Sequence, residues 1–172
     1  MSSRVFSNGF LYALGIWFGA GLVPLAPGTA GTFFAIPLYV LLMMILRLPM
    51  WAYIIFCIAF IFVAFVAAKR VGDIHCAPDD QRIVIDEVAG YLVSTIALVP
   101  SFSTIVITFV LFRMFDMVKI FPVNYFDKKL KNHYGCVLDD VMAGIYAAIL
   151  AQLLGKLLAR AGWLQTISDF WG

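Results

Sequence analysis

Val99-Pro100-Ser101-Phe102-Ser103 interrupts the uncharged run 88–112, and its reading decides how many times the chain turns. Read as one helix, the 25 residues of that run would span a bilayer once. Proline followed by small polar residues is a turn signal, however, and it favours two helices, at about 83–99 and 103–121. Lysine and arginine placement tests the choice. With a hairpin here, segments 69–87 and 113–136 share one side, which then holds Lys69, Arg70, Arg82, Arg113, Lys119, Lys128, Lys129 and Lys131. The other side keeps Arg47, Lys156 and Arg160, with Arg4 joining them. One long helix would scatter these residues evenly. The basic bias therefore selects the hairpin and assigns the richer side to the cytoplasm.

The rest of the chain reads the same way. Of 172 residues, 63% are hydrophobic and 13% charged, far from the composition of a soluble domain. So much apolar surface in one short chain belongs in lipid, and the length allows a single membrane-embedded domain over 1–172. The formal charge of +2 is small, and no nucleic-acid partner is expected. Between Arg4 and Arg47 lie 42 uncharged residues, room for two segments joined by Pro24-Leu25-Ala26-Pro27-Gly28-Thr29-Ala30-Gly31-Thr32. The first of these is read as retained rather than cleaved. A third span is expected at 48–68 and a last helix at about 137–158. The expected fold is all-α, a polytopic membrane bundle of about five to six hydrophobic helices. Gly15 and Gly19 form a GxxxG pattern that suggests helix packing. Cys57, Cys76 and Cys136 show no disulfide or zinc spacing.

This topology brings four polar stretches to one membrane face. Asp86-Glu87 lie between Ile83-Val84-Ile85 and Val88-Ala89-Gly90, at the start of a helix headed for lipid. Acids in a first turn can simply cap the helix. Asp139-Asp140 sit in similar apolar surroundings, and two adjacent acids repel unless something neutralises them. A divalent cation would do so, and magnesium takes carboxylate, water and phosphate oxygens. Arg113, Asp116 and Lys119 recur every third residue and share a helical stripe. That stripe is either a structural ion-pair ladder or a phosphate grip, since the arginine fork matches phosphate oxygens. Gly28, Thr29 and Thr32 open a hydrophobic helix with backbone and hydroxyl donors suited to an anion. His75 and His133 are read as loop residues outside the site. Carboxylates, metal and arginine together suit phosphoryl chemistry.

Four segments resemble the phosphatidylglycerophosphatase A family: 19–32, Ile83-Val84-Ile85-Asp86-Glu87-Val88-Ala89-Gly90, Phe112-Arg113-Met114-Phe115-Asp116-Met117-Val118-Lys119-Ile120-Phe121-Pro122, and Leu138-Asp139-Asp140-Val141-Met142-Ala143-Gly144. Ala20 departs from the family's Gly-Ser-Gly, and Ile120 stands where a proline usually follows the lysine. The resemblance implies a bacterial inner-membrane, magnesium-dependent phosphatase that converts phosphatidylglycerophosphate to phosphatidylglycerol and phosphate. Asp86, Glu87, Asp139 and Asp140, with Asp116 a further candidate, would hold Mg2+. Arg113 and Lys119 would grip phosphate above the cradle of Gly28, Thr29 and Thr32. An aspartyl-phosphatase signature is absent, which favours activated water as nucleophile. A transporter of ions or lipids is the rival, because intramembrane acids also mark transport paths. It would call for polar residues at mid-span or an inverted repeat, and the sequence shows neither.

Overall fold

A computed structural model describes residues 2–77, 80–118 and 133–160. The six α-helices among the described residues belong to one bundle. They are α1 (Ser2–Gly15), α2 (Pro27–Tyr39), α3 (Met50–His75), α4 (Ile85–Ser94), α5 (Phe102–Val118) and α6 (His133–Arg160). A 3-10 turn at Trp17–Leu22 precedes α2, and a π-helical turn at Val40–Ile45 extends it. Among the described residues, three segments are long and apolar enough to cross a membrane: Pro27–Ile45, Met50–His75 and Gly135–Leu157. At 14, 10 and 17 residues, α1, α4 and α5 are shorter than these.

The outward faces explain the composition. Trp51, Ile55, Ile58, Phe62 and Val66 stand exposed along α3, and Ile145, Ile149, Leu153 and Leu157 along α6. Spacings of three and four make each row a continuous apolar stripe, which water would not tolerate and lipid would.

The break at 99–103 is present. Thr95 ends α4 by donating its hydroxyl to the Leu92 carbonyl at 2.7 Å, and the Tyr53 hydroxyl of α3 donates to the same oxygen at 3.0 Å. Ser101 then starts α5 by accepting the Thr104 amide at 3.1 Å, the bond of an N-cap. The hairpin is therefore as expected, but α4 ends at Ser94 rather than near 99.

Three expectations are corrected. First, α4 does not face lipid: nine of its ten residues, from Ile85 to Ser94 except Glu87, are buried by protein. It is the central helix, and a length of about 15 Å suits a core element rather than a crossing. Second, Gly15 and Gly19 share no helix. Gly15 packs against Ala67 and Val71 of α3, but the chain then turns sharply, and Gly19 has φ +107, which a side chain would rarely adopt. Third, α3 runs past Lys69-Arg70 to His75, so that histidine ends a helix instead of lying in a loop. It contacts the Tyr12 hydroxyl at 3.1 Å and the Arg82 guanidinium at 2.9 Å, tying α1 and α3 to the approach to α4.

The helices alternate in direction. The starts of α2, α4 and α6 meet the end of α5, as the glycine contacts below show. At the opposite end, Met43, Met50 and Leu98 line a cavity between the end of α2, the start of α3 and the α4–α5 turn.

Candidate active site

Two pairs of residues four apart build the centre of the site. On α4 they are Asp86 and Gly90; on α6 they are Asp140 and Gly144. Residues at this spacing share one helix face. A methyl added at Gly144 would strike the Gly90 carbonyl, and one added at Gly90 would lie 2.5 Å from the Asp140 carbonyl. The glycines thus let the two backbones touch, and one turn earlier the acids are brought together. One ligand atom from each of Asp86, Glu87 and Asp140 lies within 4.8 Å of the others.

The start of α2 closes over this group. Gly31 packs on Val84, and Gly28 lies against Glu87 and Arg113: a methyl there would run into the Glu87 carboxylate and sit 3.2 Å from Nη1 of Arg113. No side chain caps α2, so its first backbone amides keep the donor character that attracts anions. The Thr32 hydroxyl is turned inward and donates to the Gly28 carbonyl at 2.9 Å. From α5, Arg113 donates through Nη1 to Oδ2 of Asp116 at 2.6 Å, with both side chains largely buried.

The electrostatics are unfavourable without a counter-charge. Asp86 and Asp140 are 2% and 6% exposed, on two helices whose backbones touch. Burial, reinforced by the Asp86 carboxylate beside it, pushes the Glu87 carboxyl well above the usual carboxylate range. Oε2 of Glu87 and Nε of Arg113 are both buried with no hydrogen-bond partner among the described residues. Leaving such atoms unsatisfied costs about 1–3 kcal/mol each, more when charged. A divalent cation for the carboxylate and a phosphate oxygen for the guanidinium would satisfy both.

The predicted residues are therefore divided. Asp86, Glu87, Asp140, Arg113 and Gly28 converge, and Asp116 joins them through Arg113. Asp139 is buried at 4% exposure in the second turn of α6, outside the three-carboxylate group, and capping does not explain it there. Thr29 is half-buried in the first turn of α2. Lys119 lies outside the described residues. Cys136 was not anticipated: its thiol donates to Oδ2 of Asp86 at 2.8 Å. The signal for it was its position four residues before Asp140, on the same face of α6.

Gly28→Ala follows from this packing as a sharp test. The added methyl displaces the Glu87 carboxylate, so phosphate release is expected to fall by roughly a hundredfold, since a misplacement of about 1 Å costs that much. Circular dichroism should show unchanged helix content. Activity within a few-fold of the parent would mean that the start of α2 does not abut the reacting groups.

Comparisons with known proteins identify the family. The family model described as Phosphatidylglycerophosphatase A matches residues 13–155. A Haemophilus influenzae protein named phosphatidylglycerophosphatase A is 38% identical over 142 residues, which is 81% of this chain and 85% of that protein. An Escherichia coli protein of the same name is 31% identical over 157 residues, 89% of this chain and 88% of its own length. A Bacteroides thetaiotaomicron protein, named provisionally as a phosphatidylinositol-3-phosphatase, is 32% identical over 80% of the chain and 88% of its own. No solved structure matches. None of these supports a transporter. The match spans every helix that contributes to the carboxylate group, and the chain belongs to the phosphatidylglycerophosphatase A family, as a phosphatase that hydrolyses a phosphate monoester.

Proposed function

We propose that the protein removes the terminal phosphate of phosphatidylglycerophosphate, leaving phosphatidylglycerol, in a magnesium-dependent reaction at the cytoplasmic face of a bacterial inner membrane. The observation that carries this reading is the meeting of Gly28, Glu87, Arg113 and Asp140 at one end of the bundle. Three buried carboxylates with a spare oxygen on Glu87 suit a hard, oxygen-seeking cation, and Asp86, Glu87 and Asp140 are the residues that would hold it. Magnesium held there would supply charge neutralisation for the phosphate and a more acidic water.

The chain's own residues do the rest. Arg113, steadied by Asp116, presents its remaining donors to the phosphate oxygens. The α2 amides at Gly28 and Thr29 hold the same group from the other side. Thr32 keeps this first turn in shape through the Gly28 carbonyl. Lys119, three residues after Asp116 in the sequence, adds a positive charge, and Asp139 supports the acidic end of α6. A carboxylate of the group accepts the proton of the attacking water as the bond from phosphorus to the glycerol oxygen breaks, and returns a proton to that leaving oxygen. The excess of lysine and arginine at this end of the topology supports the cytoplasmic side. A lipid headgroup enters there without leaving the interface.

Purified protein in detergent tests the reading, with phosphatidylglycerophosphate, phosphatidic acid and phosphatidylinositol-3-phosphate as substrates, each with magnesium or excess EDTA. We expect release from the first lipid to exceed the others by about tenfold or more, the discrimination available to a site that pairs a hydroxyl its other candidates do not present in the same place. EDTA should abolish it. Equal rates on all three would remove the substrate assignment and keep the chemistry. Undiminished release in EDTA would remove the metal.

A further inference from the structure

We propose that Cys136 is a positioning residue for the carboxylate group, fixing Asp86 through its thiol; this rests on the carboxylate site proposed above. Both oxygens of Asp86 take a donor. Oδ1 accepts the backbone amide of Glu87 at 3.1 Å, and Oδ2 accepts the Cys136 thiol at 2.8 Å. The first bond is local to α4. The second crosses from α6. Cys136, Asp140 and Gly144 recur every fourth residue, so the thiol stands directly beside Asp140 on the face turned to α4.

The consequence is rotational. A carboxylate held at one oxygen can swing about its last torsion, a broad and soft one. Held at both, it keeps one orientation beside Glu87 and Asp140. Neighbours that orient a ligand in this way change metal affinity by about 10–100-fold when removed. The thiol also couples position to packing, because any separation of α4 from α6 breaks it.

Three replacements separate the hydrogen bond from the space the side chain fills. Cys136→Ser keeps a donor, Cys136→Val keeps the volume without one, and Cys136→Ala keeps neither. Manganese serves as the probe, its binding followed by electron paramagnetic resonance on the purified protein in detergent, with phosphate release measured in parallel. We expect Cys136→Val and Cys136→Ala to bind manganese about tenfold more weakly, and Cys136→Ser to stay within about twofold of the parent. Parent-like binding by Cys136→Val, or binding by Cys136→Ser as weak as by Cys136→Ala, overturns the proposal, as does a parent protein that binds no manganese. If the parent binds manganese with the expected order of variants but releases no phosphate, the functional reading fails and this inference stands. If the parent releases phosphate and Cys136→Val binds as it does, the inference fails alone.

Discussion

Asp140→Asn and Glu87→Gln are expected to lose roughly 10²–10³-fold in phosphate release while melting, in EDTA, no lower than the parent. The two halves of that result have one cause. Asp86, Glu87 and Asp140 crowd three acidic groups within 4.8 Å, buried between helices. Two like charges about 5 Å apart repel by roughly 3 kcal/mol at an effective dielectric of 20, and protons on the acids relieve only part of it. An amide removes one member of the conflict, so the empty fold gains or holds its stability. Activity falls because the same conflict is what a divalent cation resolves. Magnesium should raise the melting temperature of the parent, by a free energy that reaches about 2.7 kcal/mol at a hundred times its dissociation constant. Each variant should lose most of that increment. Thermal unfolding with and without magnesium, alongside phosphate release, reads both. A variant that melts several degrees lower in EDTA and retains a tenth of its activity would show these carboxylates to be structural partners instead.

The same crowding explains what the sequence disclosed. Charges at the ends of apolar helices are expensive, so Asp86-Glu87, Arg113 and Asp139-Asp140 stood out in a chain with so few. Pro100 betrayed the hairpin because its ring cannot sit inside a helix. What the sequence did not reveal is where each apolar surface goes. A helix hydrophobic on all sides reads alike whether lipid or protein covers it, which is why α4 was expected to face lipid. Its early end depends on Tyr53, a residue 39 positions before the Leu92 carbonyl it bonds. Nor does local pattern distinguish Asp139 from Asp140. The residues are neighbours, and only the rotation of α6 against α4 decides which one enters the group. Spacing among the cysteines is uninformative about Cys136; the informative spacing is the four residues to Asp140.

That rotation and approach rest on two glycines, and replacing either should separate the helices. Gly90→Ala places a methyl 2.5 Å from the Asp140 carbonyl and 2.6 Å from the Phe112 ring. Gly144→Ala places one against the Gly90 carbonyl and 3.2 Å from Cβ of Val93. The obstacles are mostly backbone, which cannot rotate aside as a side-chain tip can. We expect each variant to lose about 1–3 kcal/mol of stability, the range of overpacked cores. Phosphate release should fall by roughly a hundredfold, because the obstruction lies at Asp140 and within one turn of Asp86, and both acids move with their helices. The signature is the opposite of the carboxylate variants: stability and activity fall together. The double variant supplies the sharper outcome. One widening of the α4–α6 gap accommodates both methyls, so Gly90→Ala with Gly144→Ala should cost clearly less than the sum of the two. Additive losses would mean that the glycines act separately, Gly90 against Phe112 and Gly144 against Val93. In that case the acids would be held together by something other than the close crossing of α4 and α6.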